Sequence, residues 1–215
     1  SKLGKFDVEV RVVPGLDELL SKPVDSGNVK PVSIYDLLGR IPVPPKQELI
    51  SQPVRGKVVM VTGAGGSIGS EICRQVMRNE PTSLILFDLS EYLLYSINKE
   101  LIRFCIETNS KIRVIPVIGS VQDQSKMKSI LQQFKVDTVF HAAAYKHVPL
   151  VEQNITEGVK NNVFGTKAVV EASIATGVSL VTLISTDKAV RPTNIMGASK
   201  RMAEFVCSVS AGSSD

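Results

Sequence analysis

From Lys57 onward, short apolar runs and amphipathic stretches alternate along the chain. Runs at 57–62, 83–88, 111–118, 136–141 and 179–185 are rich in Val, Ile, Leu and Phe and have the length of strands. Between them, apolar residues recur every three or four positions, which predicts helices over 67–79, 90–108, 124–134, 150–176 and 196–210. Apolar strands that alternate with helices belong to a parallel sheet covered on both faces. Right-handed crossovers wind such a chain into an α/β, Rossmann-like doubly wound sheet with strand order 3-2-1-4-5. Ligands in that topology sit at the carboxyl ends of the strands, where the order reverses.

The first strand runs into a glycine cluster, Thr62-Gly63-Ala64-Gly65-Gly66-Ser67-Ile68-Gly69. Strand, glycine turn and helix start together present backbone N–H groups and a positive helix end to a pyrophosphate. Gly63 suits the tight turn, and Gly66 leaves the backbone open to a dinucleotide. Gly69 lets the helix pack close to the sheet, and Ser67 and Ile68 complete the turn. The spacing is G-x-x-G-x-x-G rather than the usual G-x-G-x-x-G. Asp88 closes the next strand about 20 residues later, where a ribose-binding carboxylate belongs. A carboxylate there repels a 2′-phosphate, which favours NAD over NADP.

Composition narrows the picture by exclusion. The net charge is +4 and the basic residues form no run, so nothing marks a nucleic-acid partner. Three scattered cysteines, Cys73, Cys105 and Cys207, read as reduced thiols. His141 and His147 have no metal-ligand partners in sequence, so no metal is expected. No apolar run of membrane-spanning length occurs.

Residues 1–53 differ from the rest. They hold Pro14, Pro23, Pro31, Pro42, Pro44, Pro45 and Pro53 out of 11 prolines. Phe6–Val12 alternates like a short strand, and Gly15–Leu20 and Ile34–Leu38 suit a turn or two of helix. This region reads as a strap or linker, the end of an upstream domain. Residues 54–215 then form the NAD(P)-binding Rossmann domain. The substrate-binding part is expected beyond Asp215, and the tail from Ser208 is expected to fray. A first residue of Ser rather than Met suits an excised piece.

Three further loops fall on the same crevice. Ser120 and Val121 follow the third strand, beside the expected adenine, and Asp123 is placed to cap the next helix. Ala142, Ala143 and Ala144 follow the fourth strand; their small size suits either a passing cofactor or close helix–sheet packing. Lys146 and His147 come next, suited to an anionic substrate. After the fifth strand, Asp187 and Lys188 stand side by side. They read either as a solvated ion pair or as an acid–base pair at the nicotinamide end. Met196 and Lys200 share a helix face beyond them.

Together these residues resemble the extended short-chain dehydrogenase/reductase superfamily. More narrowly, they resemble the nucleotide-sugar 4,6-dehydratases of bacterial polysaccharide synthesis, which typically act on UDP-N-acetylglucosamine, and their membrane-anchored branch most. The stretches that carry the resemblance are Thr62–Gly69, His141–Pro149, Asn161–Thr166, Ser185–Pro192 and Met196–Lys200.

The resemblance implies an NAD-dependent lyase that makes a 4-keto-6-deoxy sugar for capsule, O-antigen or protein-glycan synthesis. It implies a cytoplasmic domain of an inner-membrane protein, with residues 1–30 ending a preceding domain, and it is compatible with a homo-oligomer. This chain alone is expected to turn over poorly. Lys188 matches the family's general base at sugar carbon 5. Asp187 matches the acid that protonates the hydroxyl leaving carbon 6, with burial setting both protonation states. Lys200 would bond the nicotinamide ribose, and Asn162, Lys146 and His147 would face the UDP-sugar. The superfamily's tyrosine is replaced by Met196, whose thioether carries no proton, so the resemblance leaves open which group takes the proton of the substrate hydroxyl; Thr186 and Asp187, acting directly or through water, are the candidates. An epimerase or reductase on the same fold, or a non-catalytic NAD-binding module, is the alternative. Asp187, Lys188 and Lys200 together, without a tyrosine at 196, favour elimination.

Overall fold

The computed structural model describes residues 11–12, 30–31 and 46–212. The chain divides into two compact units, Ser1–Lys46 and Gln47–Asp215. In the first, β1 (Arg11–Val12) pairs antiparallel with β2 (Lys30–Pro31). The helical turns expected at Gly15–Leu20 and Ile34–Leu38 lie outside the described residues.

The second unit opens with α1 (Gln47–Ser51). Val54 is 1 % exposed, and the Thr138 hydroxyl donates to the Pro53 carbonyl, so the residues just before the first long strand are tied to the sheet. Then follow β3 (Val58–Thr62), α2 (Ser67–Arg78), β4 (Ser83–Asp88), α3 (Glu91–Glu107), β5 (Arg113–Ile118) and α4 (Gln124–Phe134). The chain continues through β6 (Thr138–His141), α5 (Val148–Gln153), α6 (Ile155–Val159), a π-turn (Lys160–Phe164) and α7 (Gly165–Thr176). It ends with β7 (Leu180–Leu183), a 3-10 turn (Asp187–Ala189) and α8 (Ile195–Gly212).

The five strands from β3 to β7 form a parallel sheet in the order β5-β4-β3-β6-β7, which is 3-2-1-4-5 counted within this unit. Side chains alternate across the pleat and build a core on each face. Val59, Val61, Leu84 and Leu86 pack with Cys73, Val76 and Met77 of α2 and Leu94, Ile97 and Leu101 of α3. Met60, Ile85, Phe87 and Val139 pack with Met127 and Leu131 of α4 and Val169 and Ala172 of α7. Pro116 sits in β5, at the edge of the sheet, where a missing N–H leaves no central ladder broken. Burial pushes the Cys73 thiol up to about 12, as suits an inert core residue.

Two local readings change. The single helix expected over 150–176 is broken at Asn154, where φ is −133°, and again at the π-turn. The helix expected to end at residue 210 instead runs to Gly212, so the small polar residues from Ser208 are helical that far.

Candidate active site

A cleft of about 380 Å³ opens at the carboxyl ends of β3, β4, β5 and β6, where the strand order reverses. Gly63, Gly66, Ser67, Ile68 and Gly69 form one wall, and Asp88 stands beside them. Ser120 and Val121 close one end, and Ala142, Ala143 and Ala144 form the floor. Of the residues expected around a cofactor, only Lys200 does not line this cleft.

The glycine turn is shaped by contacts that exclude side chains. Gly63 has φ of +65°, and a Cβ there would lie 2.7 Å from the Ala143 backbone. The turn therefore passes directly over the strand end and leaves space above it. α2 begins at Ser67 with no side chain capping its first turn, so its N–H groups face the cleft mouth. Asp88 accepts from Gly65 N–H at 2.8 Å with one oxygen and from Ser90 N–H at 2.9 Å with the other. Each oxygen keeps a lone pair for a further donor. This role of Gly65, together with Leu89, Ser90 and Leu93 in the lining, was not read from the sequence. The signal was the (i, i+2) bond that an Asp commonly makes to its own backbone.

Lys146 lines both this cleft and a neighbouring cavity, whereas His147 lines only the second. The Lys146 ammonium donates to Ser67 Oγ at 2.9 Å, across the mouth of the cleft. That neighbouring cavity, of about 440 Å³, is lined by Lys146 and His147 with Leu150 and Glu157. Asn162, expected at the substrate, is 1 % exposed, and its amide bonds Tyr145 and Ser199. It is a buried bracket rather than a group facing ligand.

The Thr186-Asp187-Lys188 sequence forms the 3-10 turn beyond β7. Thr186 Oγ1 donates to Asp187 Oδ1 at 2.9 Å, and Lys188 Nζ lies 3.7 Å from the same oxygen. The side chains of Asp187 and Lys188 are 87 % and 53 % exposed. The burial invoked from the sequence to set their protonation states is therefore not a property of the described residues. The turn is seated instead by α8. A Cβ on Gly197 would collide with the Lys188 carbonyl. Asn194 Oδ1 accepts the Gly197 N–H, and Glu152 of α5 accepts the Ile195 N–H, so both cap the start of α8.

Behind the turn the helix is buried. Met196 is 3 % exposed and Lys200 is 6 % exposed. The Lys200 ammonium donates to the Ile184 carbonyl at 2.7 Å. Burial holds it below the ordinary lysine range, partly offset by Cys207 and Glu204. His141, unassigned from the sequence, is also buried. Its Nδ1 is 2.6 Å from Thr62 Oγ1 and its Nε2 is 3.0 Å from Thr166 Oγ1. Burial, with the nearby Lys200 charge, lowers its pKa to about 3, so the ring is neutral.

The parallel sheet, the glycine turn with Asp88 beside it and the lysine on the last helix define a Rossmann-type domain of the extended short-chain dehydrogenase/reductase superfamily. Comparison with known proteins narrows this. Residues 59–214 match the family described as "Polysaccharide biosynthesis protein", and the chain belongs to that family. It is 46 % identical over 199 residues to the capsular polysaccharide biosynthesis protein CapD of Staphylococcus aureus, covering 93 % of this chain and 33 % of that protein. It is 32 % identical over 146 residues to a UDP-N-acetylglucosamine 4,6-dehydratase (inverting) of Campylobacter jejuni, covering 67 % of this chain and 41 % of that protein. The fold also matches that of DesIV, a dTDP-glucose 4,6-dehydratase of Streptomyces venezuelae solved with NAD. The TM-score is 0.58 at 22 % identity, over 71 % of this chain and 51 % of that one. The chain thus spans about a third of the length of its CapD relative.

Proposed function

We propose that the full-length protein removes water from a UDP-N-acetylhexosamine, most simply UDP-N-acetylglucosamine, to give the 4-keto-6-deoxy sugar, using NAD held in the cleft. The observation that carries this reading is the Thr186-Asp187-Lys188 turn. It offers hydroxyl, carboxylate and amine in succession at the end of β7, backed by Lys200, with a buried Met196 where the superfamily has tyrosine. The Campylobacter jejuni relative supports the substrate class.

The cleft fits a dinucleotide: without a side chain Gly63 lies close over the Ala143 backbone and leaves the space above the turn open, α2 offers N–H groups with no side-chain cap, and Asp88 keeps lone pairs for a ribose. Asp88 also favours NAD over NADP. When bound, NAD supplies the acceptor for the hydride from sugar carbon 4 and the source of the hydride added at carbon 6. The chain's own residues move the protons. The hydroxyl proton on carbon 4 passes to Thr186 as the Thr186 proton passes to Asp187 along their 2.9 Å bond. Asp187 enters this cycle as a carboxylate and Lys188 as an amine, so Asp187 has room for that proton. It then delivers it to the oxygen leaving carbon 6, which departs as water. Lys188, as free amine, takes the proton on carbon 5 that the new ketone acidifies, and returns it to carbon 5 at the end. A sugar covering Lys188 strips water from it and disfavours its charged form, which is what a base there needs.

Mass spectrometry of a reaction of the full-length protein with UDP-N-acetylglucosamine and NAD tests this. The expected product is lighter than the substrate by one water, with no net NADH. An unchanged mass would move the assignment to an epimerase or to a binding module.

A further inference from the structure

The π-turn between α6 and α7 has a structural consequence that the proton transfers above do not use. One extra residue per turn widens the helix at Lys160–Phe164, and such turns concentrate at functional sites. Asn162 projects from it into the protein. Its Oδ1 accepts the Tyr145 N–H at 2.8 Å and the Asn161 side-chain amide at 3.2 Å. Its Nδ2 donates to the Tyr145 carbonyl at 3.0 Å and to Ser199 Oγ at 2.9 Å. The carboxamide thus pairs with Tyr145 as a neighbouring strand would, and every hydrogen and lone pair in reach is used. Ser199 in turn donates to the Met196 carbonyl.

The main chain of Asn162 is tied as well. Thr166 Oγ1 donates to the Asn162 carbonyl at 2.7 Å. That uses the only hydrogen of the Thr166 hydroxyl, so His141 Nε2 carries the proton of the 3.0 Å bond and Nδ1 accepts from Thr62. Thr62 immediately precedes Gly63, and its Oγ1 also receives the Ala143 N–H. One buried set of bonds therefore joins the glycine turn, the floor of the cleft, the Tyr145 loop and the helix that carries Lys200. α8 in turn seats the acid–base turn, through Gly197 against the Lys188 carbonyl and Lys200 on Ile184.

We propose that Asn162 is a positioning residue that couples the cofactor cleft to α8 through Ser199, so that filling the cleft orders the helix behind the acid–base turn. The proposal deepens the reading of the cleft as an NAD site and rests on it. Asn162 touches neither cofactor nor sugar; it acts through Tyr145 on one side and Ser199 on the other.

The test compares wild type with Ser199→Ala and Asn162→Ala in the full-length protein. The Ser199→Ala change keeps both Tyr145 bonds and cuts the link to α8, together with the Ser199 bond to the Met196 carbonyl inside that helix. NAD affinity is measured by calorimetry, and hydrogen exchange of residues 195–202 is followed with and without NAD. In wild type, NAD is expected to slow exchange in 195–202 by about tenfold, the size of one buried hydrogen bond. In Ser199→Ala, NAD should bind within twofold of wild type and that protection should disappear. In Asn162→Ala, NAD affinity itself should fall by about 10- to 100-fold as the Tyr145 loop loosens. A structural role alone would lower the melting temperature and leave the NAD-induced protection in place. Protection that persists in Ser199→Ala, or wild type that binds NAD with no protection of 195–202, overturns the coupling. Wild type that does not bind NAD at all overturns the cofactor reading, and the coupling with it.

Discussion

Replacing Lys188 by alanine in the full-length protein is expected to lower kcat by about 10²- to 10⁴-fold, the range that a positioned proton-transfer group contributes. At roughly 1.4 kcal/mol for each factor of ten, this corresponds to about 3–5 kcal/mol of barrier. KM should change little, because the amine is needed at the transition state more than for holding the sugar. The fold should not suffer either. Lys188 is half exposed, and its contact with Asp187 is an exposed ion pair of the kind that stabilises little. Asp187→Asn should reduce turnover on a similar scale while keeping the shape of the turn. A product assay over a range of substrate concentrations, with a thermal melt of each variant, separates the two effects. A variant that melts like wild type and still turns over at more than a tenth of its rate would remove Lys188 from the mechanism.

The second large effect is on stability in acid. His141 is buried and neutral between two threonine hydroxyls, with a pKa of about 3 in the folded protein against 6.5 for a free side chain. Below pH 6.5 the unfolded chain takes up a proton that the folded one refuses until about pH 3. Unfolding is therefore favoured as pH falls through that window. The contribution of His141 is complete above 6.5 and shrinks by up to about 1.4 kcal/mol per pH unit on the way down. Urea unfolding between pH 7 and pH 4 should show this slope. His141→Gln keeps a polar group in the site but does not titrate, and should flatten the pH dependence even though it is less stable at pH 7. Equal slopes in the two proteins would mean that the ring is not held neutral.

The fold was legible because its signals are local. An apolar run of strand length, a glycine turn and an amphipathic helix are each contained in a dozen or so residues, and the parallel order follows from their alternation. The glycine wall of the cleft was legible for the same reason: Gly63, Gly66, Gly69 and Asp88 are read from spacing, and the cleft gathers them. What escaped depends on contacts between distant residues. His141 meets Thr62 across 79 residues and Thr166 across 25. Nothing near it in sequence distinguishes a buried, bonded imidazole from a solvated one. Asn162 stands in a polar stretch that suits a ligand-facing helix equally well. Only the π-turn and the position of Ser199, 37 residues on, turn it inward. The exposure of Asp187 and Lys188 was hidden too. Residue type says that a pair could exchange protons, while its solvent contact depends on whatever covers it.

That exposure also alters the chemistry. In the proposed reaction a carboxylate must collect a proton before it can give one away, and the bond from Thr186 Oγ1 to Asp187 would be the route. In that proposed reaction, the hydroxyl proton of carbon 4 and the water lost from carbon 6 would belong to one cycle, with Asp187 as the carrier between them. Met196, 3 % exposed, packs in the helix face and carries no proton for such a cycle.

The central claim is that one hydride leaves carbon 4 and returns to carbon 6 of the same sugar. UDP-N-acetylglucosamine carrying deuterium at carbon 4 tests it most directly, with the product of the full-length protein examined by NMR and mass spectrometry. The account predicts a product lighter by one water that retains the deuterium, now at carbon 6. Deuterium still at carbon 4, in a sugar of unchanged formula, would contradict it, as would a dehydrated product that has lost the label to solvent.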